Sequence, residues 1–579
     1  MFFGHGWHDD ACMSTASTYT ISDYLLDRLA ELGIEHLFGV PGDYTLGLLD
    51  HVVRHRRLSW VGCRNELNAG YAADGYGRMR GAAALMTTFG VGELSAINAV
   101  TGSFAEHVPV IHVVGAPSST NQSAHRIVHH SLGDGVFTHF LGMHADITCA
   151  QAALTAAAAE GEIDRVLVHV RDEHLPGYLL LPADVAEMAA TPPGTPLPPP
   201  TDPTDPLALE AFAAAAARLM DTEGLEALTV LAGLLVHRLG PRTVANLYRL
   251  LDDGGLRHAT TLWGKSLVDE SNPRYLGIYA GAASEPAVQT AVEDASVLVV
   301  AGVQFTDLNS GLFTQHIPRM RTIELGVAIA SVGAATFAPV SMGAALERLD
   351  RLVSERRGAV AADVAIRPVG SESEDEGTTP EMALSQVALW NGVARHLRAG
   401  DIVLADQGTA FYGMATHRLP QNVTFLGQPL WASIGYTLPA ALGACLAQRG
   451  RRGVVLIGDG AAQMTVQELS TQFQLDVPLL VVVVDNDGYT VERAIHGPEE
   501  RYNDVPRWDW TLLPALLAPG RQVHTCRAET VGELEDALWH ADTHPTGATL
   551  IQACVPRLDV PELLATLTRS LSGANAPRS

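Results

Sequence analysis

The chain has 579 residues and a mass of 61.5 kDa, with 47% hydrophobic and 18% charged residues. That length and balance support several domains with sizeable cores and exclude a disordered chain. Its 38 Lys plus Arg against 64 Asp plus Glu leave a formal charge of −26. This argues against nucleic acid or an anionic membrane as the main partner, but not against a small anionic substrate in a cleft.

Residues 1–18 read as a disordered tail. They hold His5, His8, Asp9 and Asp10 without a basic region, so a secretory signal is not expected. A first block, 19–190, opens with Leu25, Leu29 and Leu32 at helical spacing, stopped by Gly33. A short strand then runs into Gly39-Val40-Pro41-Gly42, and a strand at 58–61 leads to Arg64-Asn65-Glu66 and a helix. Residues 191–206, TPPGTPLPPPTDPTDP, are half proline and read as an extended linker. A second block, 207–356, contains the buried strand pattern Ser296-Val297-Leu298-Val299-Val300-Ala301 with a glycine turn. Residues 357–380 form an acidic linker ending in SESEDEGTTP.

The third block, 381–579, carries the clearest unit. A strand at 453–457 ends in Gly458-Asp459-Gly460, an amphipathic helix follows near 466–473, Pro478 punctuates, and a strand fills 479–484. This β–loop–α–β pattern predicts parallel strands. The fold expected is α/β, with three doubly wound parallel-sheet domains and ligands at the carboxyl ends of strands. The apolar run at 479–484 is far too short to span a bilayer. Six scattered cysteines without a Cys-x-x-Cys pair suggest a reduced, cytoplasmic protein.

Gly458-Asp459-Gly460 alone suits any strand-to-helix turn, with glycines that let a phosphate approach the backbone. The next strand ends at Asp485-Asn486-Asp487-Gly488, with 24 residues between Gly460 and Asp485. One crossover therefore places Asp459 and Asn486 at the tips of two parallel strands. A carboxylate, an amide oxygen and a backbone carbonyl are hard ligands that suit Mg²⁺, leaving positions for phosphate oxygens and water.

These motifs resemble those of the thiamine diphosphate-dependent 2-oxo-acid decarboxylases, in the branch acting on pyruvate, indolepyruvate, phenylpyruvate or branched-chain 2-oxo acids. The similarity covers about 19–579. It rests on the Gly-Asp-Gly and Asp485-Asn486 pair, on Asn486 to Gly497, on Arg64 to Ala69, on Thr87 to Leu94, on His129-His130 and on Trp431 to Gly435. The resemblance implies a pyrimidine-binding, a middle and a diphosphate-binding domain. Asp459, Asn486 and the carbonyl of Gly488 would bind Mg²⁺, while Asp485 replaces the first Asn of the family pair. Gly460, Ala461 and Thr409 would hold the diphosphate. Val91 would pack on the pyrimidine, Ile434 would wedge the bent cofactor, and the Ala432 carbonyl would accept from its amino group. Val491 would border both cofactor and substrate.

For catalysis the resemblance implies Glu66, which by itself suits a helix N-terminus, as the partner of the aminopyrimidine. Asp43, His129, His130 and Glu492 would move protons. Gln407, Phe411, Val491, Leu567 and Ser572 would line the substrate pocket. Since pyrimidine and diphosphate residues fall in different blocks, the family places the site between two subunits. The expectation is a dimer or dimer of dimers that decarboxylates an aryl or branched-chain 2-oxo acid to an aldehyde. Acyloin-forming carboligation, pyruvate decarboxylation and a catalytically silent scaffold are the alternatives.

Overall fold

Strands and helices alternate through residues 18–357 and 379–575, which the computed structural model describes, with side chains to 356 and from 379 to 569. The expected tail at 1–18 and acidic linker at 357–380 fall almost wholly outside these residues. Among the described residues no helix is long and apolar enough to cross a membrane.

The first sheet contains β1 (His36–Gly39), β2 (Ser59–Gly62), β3 (Ala83–Thr88), β4 (Val110–Ala116), β5 (Ala150–Ala153) and β6 (Gly177–Pro182). Its order is β2-β1-β3-β4-β6-β5, parallel throughout. β3 and β4 are buried along their whole length, which is why they read as unbroken apolar runs rather than alternating ones. The third sheet contains β14 (Ile402–Ala405), β15 (Thr424–Leu426), β16 (Gly453–Gly458), β17 (Leu479–Asp485), β18 (Val523–Ala528) and β19 (Ala548–Cys554). It repeats the design in the order β15-β14-β16-β17-β19-β18, again parallel. The winding reverses between β1 and β3, and again between β14 and β16. Each reversal opens a crevice beyond the carboxyl ends of the strands.

The middle sheet departs from the all-parallel expectation. Strands β7 (Thr229–Ala232), β8 (Arg257–Thr261), β9 (Tyr275–Tyr279), β10 (Leu298–Ala301) and β11 (Thr322–Leu325) are parallel. At one edge β12 (Ala330–Val332) and β13 (Ala335–Phe337) add an antiparallel meander. The joins around Gly326 and Gly333 are too short for a parallel crossover, so only antiparallel pairing is open to them.

The proline-rich linker carries neither helix nor strand from 191 to 205. It is pinned to the first domain, where Leu197 N donates to Glu31 Oε1 at 2.5 Å and Arg28 Nη1 donates to the Thr195 carbonyl at 2.9 Å. Its last residue, Pro206, opens the helix Pro206–Glu223, capped by the Asp205 side chain. Proline suits that first position because its missing N–H has no intrahelical partner to lose.

The first and third domains share a core. Helix Glu66–Arg80 starts at Asn65, whose side chain accepts from Asn68 N at 2.7 Å, and ends at Gly81 with φ 93°. It lies directly against helix Thr437–Ala447. The approach is so close that a Cβ on Gly443 would stand 2.8 Å from the Ala72 carbonyl carbon and 2.8 Å from Tyr76 N. One on Gly75 would stand 2.8 Å from Ala440 Cα. Small residues on both helices let the backbones meet.

Candidate active site

At the tip of β16, Asp459 begins the helix Asp459–Thr465 and is 3% exposed. Its Oδ1 accepts from Gly460 N at 2.7 Å and its Oδ2 from Gly488 N at 3.0 Å. Burial pushes this carboxyl up to about 7; the two amide donors oppose that push, and the neighbouring charges of Asp485 and Asp487 add to it. Asn486, one residue beyond β17, is equally buried. Its amide oxygen stands 3.3 Å from Asp459 Oδ1 and 2.8 Å from the Gly488 carbonyl. Three oxygens facing one another repel. Either the amide turns its NH₂ inward, with its oxygen then accepting from Thr490 Oγ1 at 3.0 Å, or a cation sits among them. A carboxylate, an amide oxygen and a carbonyl are the donor set of a hard divalent ion, so the residues present fit Mg²⁺.

The loop holding these oxygens is braced by Arg493, which is 2% exposed. Its guanidinium donates to the carbonyls of Asn486 at 3.1 Å and Asn503 at 3.2 Å and to Asp504 Oδ1 at 2.8 Å. Asp485 turns away from the oxygens; its Oδ2 accepts from Gln552 Nε2 at 2.7 Å. Asp406, at the tip of β14, accepts from Gly435 N at 3.0 Å, Thr437 N at 3.0 Å and Thr437 Oγ1 at 2.8 Å. It thereby fixes the turn after Ile434, and burial pushes its carboxyl up to about 6 against these bonds. Ala432, in the same turn, has φ 55°, a left-handed conformation that an alanine enters only under strain.

A cavity of about 290 Å³ lies over these residues. It brings together Gln407, Thr409, Ala432, Ile434, Asp459, Gly460, Ala461, Asn486, Gly488, Val491 and Leu567, with the exposed Glu492 among its lining. Phe411, expected here, points elsewhere. It is 2% exposed and packs on Phe425 at 5.7 Å between ring centroids. Successive residues of helix Thr409–Ala415 diverge by about 100°, so Tyr412 takes the place in the lining, its hydroxyl accepting from Gln407 Nε2 at 3.0 Å. Leu564 and Thr568 join Leu567 from helix Glu562–Asn575, and Leu308 enters from the middle domain. Leu564, Leu567 and Thr568 share one helical face, a signal readable from spacing. Leu308, on an irregular loop, had no such signal. Ser572 lies further along that helix, beyond the described side chains.

The first-domain residues form a second group that does not line this cavity. Glu66 is half-buried at the start of its helix, whose N-terminus is tied to the third domain. There the fully buried Glu468 accepts from Arg64 N at 3.1 Å and Asn68 Nδ2 at 3.0 Å. Asp43 Oδ2 lies 2.8 Å from His129 Nε2, and both side chains are about half exposed. His130 follows with φ 61°. Val91 is 53% exposed. Beneath it, Glu93 accepts from Gly90 N at 2.8 Å and from the Tyr178 hydroxyl at 2.6 Å. Burial pushes this carboxyl up to about 7. Glu93, Glu468 and Arg493 are the supporting residues that sequence reasoning missed. Glu93 and Glu468 work through partners far along the chain, Tyr178 for one and Arg64 and Asn68 for the other, while Arg493 bonds within its own loop, to Asn486, Asn503 and Asp504.

Comparison with known proteins gives three matches along the chain. The N-terminal TPP binding domain of thiamine pyrophosphate enzymes matches residues 19–141, the central domain 215–349 and the C-terminal TPP binding domain 406–553. An alpha-keto-acid decarboxylase of Mycolicibacterium paratuberculosis is 55% identical over 565 residues, 98% of this chain and 99% of the relative. One from Mycobacterium ulcerans is 55% identical over 561 residues, covering 96% and 97%. One from Mycobacterium tuberculosis is 53% identical over 563 residues, covering 97% and 99%.

Proposed function

The chain belongs to the thiamine diphosphate-dependent 2-oxo-acid decarboxylases, which are carboxy-lyases, and from that premise we propose that it converts an aryl or branched-chain 2-oxo acid to the aldehyde and CO₂ with the help of Mg²⁺. The observation that carries this reading is the convergence of the Asp459 carboxylate, the Asn486 side-chain amide and the Gly488 carbonyl at the tips of adjacent strands, opening on a largely apolar cavity. Thiamine diphosphate, when bound, supplies the electron sink for loss of the carboxylate. Gly460, Ala461 and Thr409 hold the diphosphate end. Ile434 and the Ala432 carbonyl orient the ring end, held by Asp406 through the turn behind them. Glu66 would face the aminopyrimidine end and serve there as the general acid–base group. Glu492, Asp43, His129 and His130 deliver the proton that becomes the aldehyde hydrogen.

Glu66, Val91 and the histidines stand outside the cavity of their own chain and are partly open to solvent. This supports a site completed by a second copy, as a dimer or dimer of dimers. The −26 charge supports no role for nucleic acid or membrane. Five described cysteines are free thiols, in keeping with a cytoplasmic setting.

The test is aldehyde release from a panel of 2-oxo acids, run with and without Mg²⁺. Aryl or branched substrates should be turned over faster than pyruvate, and omission of the ion should abolish the signal. Glu66→Gln should lower turnover by roughly 10²–10⁴ while cofactor binding persists. Near-parental activity in that variant removes Glu66 from the mechanism. Acyloin as the main product, from a mixed feed of 2-oxo acid and aldehyde, would favour carboligation. Cofactor binding with no product would favour a scaffold.

A further inference from the structure

Outside the oxygen cluster, one set of side chains among the described residues is spaced for a metal ion. Ligand atoms of Asp43, His129 and His130 lie within 4.8 Å of one another. The arrangement is built rather than incidental. The His129 ring stacks on Tyr44, with centroids 5.0 Å apart and planes at 12°, and the Tyr44 hydroxyl lies 3.4 Å from its Nδ1. A partner on the far ring nitrogen is the usual way a ligating histidine is aimed. His130 adopts the left-handed conformation, with its carbonyl pressed against Gly90. That turn sets its ring 4.6 Å from the ring of His129 instead of letting the two neighbours diverge. Strained backbone of this kind persists only where the surroundings hold it.

We propose that Asp43, His129 and His130 form a binding site for a borderline transition-metal ion, with Zn²⁺ the best match, separate from the Mg²⁺-type oxygens at Asp459. Two imidazoles and one carboxylate are the donors that zinc, cobalt and nickel take, while three hard oxygens suit magnesium. Zn–N bonds of about 2.0–2.1 Å put tetrahedral ligands about 3.3 Å apart. The three atoms must therefore close by at most about 1.5 Å, which the exposed Asp43 and His129 side chains can supply by turning toward the partly buried His130. Binding uses the Nε2 lone pair of His129, with the ring proton carried on Nδ1 beside the Tyr44 hydroxyl, and a fourth position stays open to water. An ion seated there occupies the groups assigned to proton delivery, so it inhibits turnover even with Mg²⁺ in excess. That last consequence rests on the decarboxylase reading, whereas the binding itself does not.

A different histidine cluster must be separated from this one. His524, His540 and His544 stack at 3.6 and 4.2 Å between centroids, but no three of their ligand atoms converge. The experiment titrates the full-length protein, holding thiamine diphosphate and excess Mg²⁺, with Co²⁺ followed by its visible absorption, then displaces it with Zn²⁺. One ion per chain is expected. The band should be lost in Asp43→Asn, His129→Gln and His130→Gln, and should return with a shifted spectrum in His129→Asp, which restores a ligand. It should persist in Asp459→Asn and in the double variant His540→Gln/His544→Gln. A band that survives the first three changes, that vanishes in either of the last two, or that never saturates overturns the proposal. Zinc bound at this site without loss of aldehyde formation would leave the site standing and remove the histidines from proton delivery.

Discussion

Gly443→Ala tests the contact that ties the first domain to the third. The added methyl carbon would lie 2.8 Å from the Ala72 carbonyl carbon and from Tyr76 N, and nearer still to the Ala72 oxygen. Ordinary carbon contacts are about 3.5–4.0 Å, so the two helices must part by about 1 Å or more. The obstructing atoms are backbone and have no rotamer to escape into. Overpacking costs about 1–3 kcal/mol, and the upper end applies here, about 3 kcal/mol. For a domain of 150–250 residues each kcal/mol moves the melting temperature by about 2–4 °C, so calorimetry should show a fall of about 6–12 °C. Activity should fall too, because Glu66 opens one of the helices and the Ile434 turn leads into the other. Gly161→Ala is the matched control. Gly161 is exposed in helix Ala159–Glu173, and a methyl added there would meet nothing within 4 Å. That variant should gain up to about 1 kcal/mol of helix propensity. If Gly443→Ala melts within about 2 °C of the parent, the close approach does not exist in solution.

Three further outcomes are expected. Burial pushes the Asp459 carboxyl up to about 7, so on the proposed reading an incoming Mg²⁺ must displace its proton below that pH. Apparent Mg²⁺ affinity should be level above pH 7 and fall up to about tenfold per unit below it. This is measured by Mg²⁺-dependent thermal shifts with thiamine diphosphate present, and a flat profile from pH 8 to 6 contradicts it. Ala432→Gly should stabilise the protein by about 0.5–1 kcal/mol, since relief of left-handed strain, about 1–2 kcal/mol, exceeds the added freedom of the unfolded chain. A lowered melting temperature in that variant would show the turn to be unstrained. Leu308→Ala, which opens the cavity wall, should shift the ratio of kcat/KM between a bulky aryl 2-oxo acid and pyruvate by about 10–200-fold toward the bulky one. An unchanged ratio excludes Leu308 from substrate choice.

Much of the architecture could be read from the chain because its signals were local. The run at 479–484 and the Gly458-Asp459-Gly460 turn announced a buried strand and its tip, and both lie where spacing put them. The proline run was expected to be free of helix, and the helix Pro206–Glu223 begins at its last residue. What stayed hidden depended on distance or direction. Phe411 and Tyr412 are adjacent aromatics, and only the helix they sit on decides which one faces the cavity. The antiparallel edge of the middle sheet follows from short joins around glycines whose neighbours carry weak strand patterns. Glu93 and Glu468 look like ordinary surface carboxylates in sequence, yet both are fully buried with partners far along the chain.

The linkers divide the sequence more sharply than they divide the folding unit. One apolar cluster runs without a break from Phe38 and Tyr76 to Leu404 and Leu550. During synthesis, at about 5–20 residues per second, the segment ending at residue 80 must wait about 20–70 s before residue 437 leaves the ribosome. For that interval a glycine- and alanine-lined helix face has no mate. A fragment cut at the proline run would leave that helix face without the residues it packs on in the whole chain.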